Sequence, residues 1–172
     1  WIHTGVGYCI YQYDKERFDR KPEEWLKTIG VDGPPYKLLI DSKKNMWMSV
    51  YGQGIYFVDV KNMTAFLFPF SKTKSRSSLP DYQVSCIRED NGQAVVTFDN
   101  GVICRLDGYA QQVVWMDRFI LNNRLSTDHS VFTFVDSKNN YWVNTKQGIY
   151  VYHKNLKKWF AGAKGYLATF GF

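Results

Sequence analysis

One stretch of this chain occurs twice, and it limits the fold more than any other feature. Asp41–Asp59 reads DSKKNMWMSVYGQGIYFVD, and Asp136–His153 reads DSKNNYWVNTKQGIYVYH. Each copy sets Asp-Ser-Lys before a polar turn, a Trp six positions after the Asp, and then Gln-Gly-Ile-Tyr. The two Asp stand 95 positions apart, close to twice 47. A fainter copy lies between them: Glu89–Asp107, EDNGQAVVTFDNGVICRLD, with Asp90, Gly101 and Asp107 in comparable places. Self-similarity at this period marks a solenoid, a propeller or an array.

The local pattern selects among these. Short apolar runs alternate with Gly, Asn, Asp and Ser clusters, as an antiparallel meander requires. In the first full unit the runs are Tyr36–Ile40, Met46–Val50, Ile55–Val60 and Thr64–Phe68. The second has Val84–Arg88, Ala94–Phe98, Val102–Leu106 and Gln112–Met116, and the third Val131–Val135, Tyr141–Thr145, Ile149–Tyr152 and Lys158–Phe160. Four strands in about 47 residues make a propeller blade. Asn91-Gly92 favours a tight hairpin with positive φ. The faint copy lacks the Trp, and the shortened turn puts Ala94 in its place.

Trp1–Thr4 resembles the second strand of the strong copies, residues 8–13 follow as a strand, and Tyr166–Phe170 suits a first strand. Residues 20–36 are the least regular. Lys21–Thr28 suits one or two helical turns, and Gly33-Pro34-Pro35 ends any helix there. The expectation is an all-β fold of four-stranded antiparallel propeller blades, about three complete, with partial blades at both ends. Residues 1–172 form one propeller segment, divided near 1–35, 36–70, 82–116, 130–160 and 161–172. The chain begins at Trp1 and reads as a segment of a longer protein. In the alternative picture, Tyr166–Phe170 completes the blade begun at Trp1 and four blades close a ring.

Composition narrows the function classes. The formal charge is +6, but Lys and Arg are scattered, with no basic stripe interleaved with aromatics, so nucleic-acid binding is disfavoured. No run approaches eighteen apolar residues, which excludes a spanning helix. Cys9, Cys86 and Cys104 form no CxxC pair, and His3, His129 and His153 are far apart in sequence, so neither a metal nor another cofactor is expected. Cys86 and Cys104 read as buried small apolar residues. Asn62-Met63-Thr64 is a glycosylation sequon, relevant only to a secreted eukaryotic protein.

Asp41, Asn45, Trp47, Gly54, Ile55, Tyr56 and Asp59, with Asp136, Asn140, Trp142, Thr145, Gly148, Ile149 and Tyr150, resemble the two-component regulator propeller repeat. Val50 departs from the family at the Thr145 position. The resemblance covers nearly the whole chain outside residues 20–36. It implies a periplasmic sensor region of a hybrid histidine kinase of gut Bacteroidetes, responsive to oligosaccharides and anchored in the inner membrane through its parent. It implies other blades of that parent as neighbours and a homodimer formed through it. The phosphorylated His and the receiver Asp would lie outside this segment, and His3, His129 and His153 take neither role.

In such a segment the repeated residues have structural work. Trp47 and Trp142 fill space between adjacent sheets. Asp41, Asp90 and Asp136 accept bonds from turn backbone groups, and Gly54, Gly101 and Gly148 allow the next turn. Ligand contacts fall to the loops between blades and the turns between second and third strands. These carry Tyr51, Gln53, Arg76, Tyr82, Asp99, Asn100, Arg124, Asp128, His129, Lys146 and Gln147. Flat aromatics with planar polar groups suit sugars, which singles out Tyr51, Gln53, Tyr82, Arg124 and His129. A propeller lyase or hydrolase is the enzyme reading. Asp81, Glu89, Asp99, Asp117 and Asp128 are available to it, but nothing fixes a pair of carboxylates at a useful separation. A protein-interaction surface is the third reading and can coexist with the first.

Overall fold

The computed structural model describes residues 2–4, 7–19, 21–33, 35–71, 76–80, 83–123, 133–145 and 147–161. They form an all-β domain of repeated antiparallel sheets. The first sheet has three strands, β1 (Ile2–Thr4), β2 (Gly7–Gln12) and β3 (Arg17–Asp19). The second has β4 (Pro35–Ile40), β5 (Met46–Val50), β6 (Gly54–Asp59) and β7 (Thr64–Pro69). The third has β8 (Val84–Asp90), β9 (Gln93–Phe98), β10 (Ile103–Asp107) and β11 (Gln112–Asp117). The fourth has β12 (Thr133–Val135), β13 (Tyr141–Thr145), β14 (Gly148–His153) and β15 (Lys158–Ala161). Each is a simple meander in chain order. Among the described residues no sheet closes into a ring. The strand expected at Tyr166–Phe170 lies outside the described residues.

Two helices interrupt the strands. The first, α1 (Lys21–Thr28), takes the whole stretch expected to be helical and stops before Gly33. It buries Leu26, and Val31 just beyond it, against Met46, Met48, Tyr56 and Val58 of the second sheet. The second, α2 (Phe119–Asn122), is a single turn that seats Ile120 against the fourth sheet. Strand β3 has no counterpart in the sequence pattern. Its sequence, Arg-Phe-Asp, carries no alternating signal of its own, and pairing with β2 makes it a strand. Strand β2 ends at Gln12, and Tyr13 opens a short 3-10 turn.

Sheets two and three pack face to face. Trp47, Ile55, Phe57 and Phe68 meet Ile87, Ala94, Val96, Phe98 and Leu106, all buried. Sheets three and four pack likewise through Val95, Ile103, Tyr141, Val143 and Tyr152. The alternation of side chains along a strand fixes which residue faces which neighbour. Trp47 points forward to the third sheet and Met46 points back to α1. In the third sheet Ala94 points back and Val95 points forward.

That placement corrects the expectation for the faint repeat. Asp41 and Asn45 close the first hairpin of sheet two through their backbone, with three residues between them. Asp136 and Asn140 do the same in sheet four. In sheet three, Asp90 already pairs with Gln93, across Asn91 and Gly92 at φ 52° and 76°. The turn is one residue shorter, so Val95, not Ala94, stands where the strong copies have Trp. The volume missing at Val95 is made up from the outer strand: the Trp115 ring lies 5.7 Å from that of Tyr141 and 5.1 Å from that of Tyr152.

The glycines also separate. Gly54, at φ 151°, begins β6, and a Cβ there would stand 2.0 Å from the carbonyl oxygen of Phe68. Gly101 does not match it. Phe98 donates to the carbonyl of Val102, so Val102 opens that strand edge and Gly101 sits inside the turn. A different glycine spaces the sheets: a Cβ on Gly108 would fall 2.3 Å from the Phe57 ring. Gly108→Ala is expected to cost about 1–3 kcal/mol, the usual range for overpacking, read by urea unfolding. An unchanged midpoint would mean that this turn does not rest on Phe57.

Candidate functional site

The rim where second and third strands turn back is the place the sequence singles out for ligand contact. Tyr51 sits at the tip of the β5–β6 turn and is 75% exposed. Its ring meets that of Tyr36 edge-on, with centroids 6.2 Å apart. Tyr36 lies one layer deeper, and its hydroxyl accepts a hydrogen bond from Val84 N at 2.9 Å. Burial, followed by smaller charge effects, holds its ionisation above the usual phenol range. Across the interface, Asp99 accepts from the hydroxyl of Ser85, and its backbone N donates to Gln83 O at 2.9 Å. Asn100 accepts from Val102 N at 3.1 Å, while its buried Nδ2 has no partner among the described residues. The rim therefore joins one exposed aromatic ring, a second beneath it, a carboxylate and an amide, drawn from two sheets.

Gln53 is placed differently. Its Nε2 donates to Asp32 O at 2.9 Å, and its Oε1 accepts from the Tyr56 hydroxyl at 2.8 Å. A ligand there would compete with bonds that tie the turn to the segment after α1. Arg76 is exposed, and its carbonyl accepts from Val113 N at 2.7 Å, pinning the long loop across β11. Gln147 is exposed, with its N on Thr145 Oγ1 at 3.2 Å. Tyr82, Arg124, Asp128, His129 and Lys146 lie outside the described residues.

The repeated Asp and Trp work as pairs. Asp41 accepts from Lys43 N, Asn45 N and the Trp47 indole. Asp136 accepts from Lys138 N, Asn140 N and the Trp142 indole. Asp90 breaks this pattern and is a correction. Its side chain is fully buried; it keeps one bond within its own hairpin, from Asn91 Nδ2 at 3.1 Å, takes none from the hairpin's backbone, and otherwise turns to the fourth sheet. It accepts from Lys154 Nζ at 2.6 and 2.9 Å and from the Tyr141 hydroxyl at 2.6 Å, with Arg105 at 3.7 Å. Sequence reading missed this network, because its members lie 51 and 64 positions from Asp90.

These pairings make stability pH-dependent at both extremes. Burial opposes ionisation of Asp136, but bonds from Trp142, Asn140 and Lys138 outweigh it, and its ionisation is held below the ordinary carboxylate range. Asp107 behaves alike, through Ala110, Gln93 and Tyr109. A lowered folded value gives stability present above the unfolded value of about 3.9 and lost as pH falls further. Tyr36, Tyr56, Tyr141 and Tyr152 are shifted up, chiefly by burial. A raised folded value gives stability that is lost as pH rises past the unfolded value of about 10. Melting temperature against pH is expected to show a plateau with an acid and an alkaline shoulder. A flat profile through both regions would contradict the pairings.

A concavity lies on the fourth sheet. It encloses about 460 Å³ and is lined by Arg88, Thr133, Phe134, Trp142, Asn144 and Ile149. Its floor is mostly apolar. Among the described residues no cluster of His, Cys, Asp and Glu could hold a metal ion. Of the carboxylates considered for catalysis, Glu89 holds the N and hydroxyl of Ser42, and Asp117 accepts from Phe119 N at 2.6 Å. Cys86 and Cys104 are buried, and burial pushes the Cys104 thiol up to about 12.

No family model matches the chain. No curated protein matches it either. Solved structures do. One is the extracellular domain of BT4673 from B. thetaiotaomicron, described as a one-component system: TM-score 0.52, 16% identity, 79% of this chain covered. A second structure of the BT4673 extracellular domain, described as a hybrid two-component system, gives 0.51 and 14% identity over 72% of this chain. The extracellular domain of the hybrid two-component system BT3049 from the same organism gives 0.39 and 16% identity over 94% of this chain. The chain spans 17% of the length of each BT4673 structure. For the two BT4673 structures the likeness is one of fold.

Proposed function

We propose that this chain is a β-propeller segment of the extracytoplasmic sensing region of a hybrid two-component signalling protein. The observation that carries the reading is the stack itself: four-stranded antiparallel meanders packed face to face, with the same Asp–Trp hydrogen bond in the second and the fourth. The fold likeness to extracellular domains described as signalling systems supports it. Residues 1–172 then form one propeller segment, with blades near the boundaries read from the repeat. The parent is anchored in the inner membrane and faces the periplasm. Among the described residues no helix is long and apolar enough to cross a membrane. The neighbours of this segment are other blades of the parent, and signalling passes through a homodimer of that parent.

The ligand class is an oligosaccharide, met at the rim. Tyr51 offers a ring face to the apolar side of a pyranose, as aromatic platforms do. Gln53, Tyr82, Arg124 and His129 complete the proposed set of polar and aromatic contacts. The segment catalyses nothing itself and needs no cofactor.

Calorimetric titration of the whole extracellular region with defined oligosaccharides tests this. Tyr51→Ala is expected to weaken binding about tenfold or more, the effect of losing roughly 1.4 kcal/mol of contact, with the melting temperature unchanged. Tight binding unaffected by Tyr51→Ala would move the site elsewhere. Hydrolysis or elimination of the oligosaccharide would replace the sensor reading with an enzyme.

A further inference from the structure

Sheets three and four each rest their back face on the sheet before them. The second sheet rests its back face on a helix instead. Met46, Met48, Tyr56 and Val58 are covered by Leu26 and Val31, with Trp25 and Ile29 packed beside them. The same helix, α1, also lies against β2. It therefore touches both the first sheet and the second.

The end of α1 is tied to the rim by one side chain. Gly30, at φ 85°, stops the helix. Val31 N donates back to Leu26 O at 3.0 Å and Gly30 N to Lys27 O at 3.1 Å, the paired bonds of a Schellman motif, with its apolar contact made by Val31 and Leu26. Helix and exit are thus one unit. The next carbonyl, Asp32 O, accepts from Gln53 Nε2 at 2.9 Å, and Gln53 Oε1 accepts from the Tyr56 hydroxyl at 2.8 Å. Tyr56 belongs to the cluster under the helix. Gly33 is seated so closely that a Cβ there would stand 3.1 Å from Val50 and 3.3 Å from Gln53 Nε2. Gln53 stands two positions from the exposed Tyr51, in the same turn.

We infer that Gln53 couples occupancy of the rim to α1. A primary amide offers donor and acceptor in one plane. It can turn them to Asp32 and Tyr56, as here, or to neighbouring hydroxyls of a sugar. The second choice releases the helix exit. Asp32 is exposed, so water takes over its carbonyl. The turn itself stays in place, because its backbone is held separately: Gln53 N donates to Val50 O at 3.2 Å and Gln53 O accepts from Phe70 N at 2.8 Å. Binding at the rim then loosens α1 against the second sheet and, through α1, its contact with β2. This rests on the rim being the sensing site, and adds how occupancy leaves it.

Amide hydrogen exchange on the whole extracellular region tests the coupling, since exchange reads local opening segment by segment. Without ligand, Gln53→Ala is expected to speed exchange across Trp25–Gly33 about three- to tenfold, the effect of one hydrogen bond of ordinary strength. Strands β5 and β6 are expected to keep the wild-type rate. Gln53→Glu keeps an acceptor for Tyr56 but has no donor for Asp32, and is expected to do the same. Saturating oligosaccharide is expected to speed exchange of that segment in the wild type and to add nothing in Gln53→Ala. Unchanged exchange in both variants, or an equal rise in β5 and β6, would overturn the coupling. A bound oligosaccharide that leaves Trp25–Gly33 unmoved would overturn it too, with the sensing role intact. Binding of no oligosaccharide at all would remove the sensing role and the coupling together.

Discussion

Trp47→Ala is expected to lower the unfolding free energy by about 3–5 kcal/mol, the range for emptying a large buried aromatic site. The indole is completely buried between the second and third sheets, 4.7 Å from the Phe57 ring and 6.1 Å from that of Phe68. Its loss opens a cavity that these neighbours cannot close. It also removes the indole N–H from Asp41 Oδ2, which it meets at 3.2 Å. Trp142→Ala makes the sharper comparison. It breaks the equivalent bond to Asp136, at 2.9 Å, but its ring is only half-buried. Its cost is expected to be less than half that of Trp47→Ala. Urea unfolding of both variants reads the difference. Equal losses would mean that the Asp–Trp bond, not sheet-on-sheet burial, is what the repeat preserves.

Asp90→Ala is expected to be as severe, at about 3–5 kcal/mol, because it leaves the buried Tyr141 and the half-buried Lys154 and Arg105 uncompensated. Lys154 loses both of its carboxylate contacts and the Tyr141 hydroxyl loses its acceptor. Arg105, 3.7 Å from the same oxygen, is left with less opposing charge. For a domain of this size each kcal/mol moves the melting temperature by about 2–4 °C. The double variant Asp90→Ala with Lys154→Met is expected to recover part of the loss, since removing both charges costs less than stranding one. No recovery would mean that Asp90 acts through Tyr141 alone.

Much of the sheet order could be read from the sequence. Met46–Val50 and Tyr141–Thr145 kept their expected bounds because Gly and Asn turns flank them on both sides. The failures have local causes. Strand β3 is polar and too short for periodicity, and only its pairing with β2 defines it. Counting residues puts Ala94 at the Trp position, but the two-residue turn at Asn91-Gly92 advances the register by one and sends Val95 forward. Compensation by Trp115 could not be read, since it comes from a strand two removed in the same sheet.

Of the rim, Tyr51 was legible as an aromatic at a hairpin tip, where a packing role is least available. Gln53 was not legible as a residue already engaged, because Asp32 is 21 positions away and reaches it only through the fold. The same holds for Tyr36 and Asp99, which approach each other only because sheets two and three stack. The Asp90 network escaped for the same reason: nothing near Asp90 in the sequence announces Lys154.

The stacking order is the central claim, and methyl-to-aromatic nuclear Overhauser contacts test it most directly. The Ala94 methyl is predicted to show contacts within the Trp47 and Phe98 cluster. The Val95 methyls are predicted to show contacts to Tyr141 and its aromatic neighbours. The reverse assignment, with Ala94 on Tyr141 and Val95 on Trp47, would contradict the register. With it would fall the placement of the rim.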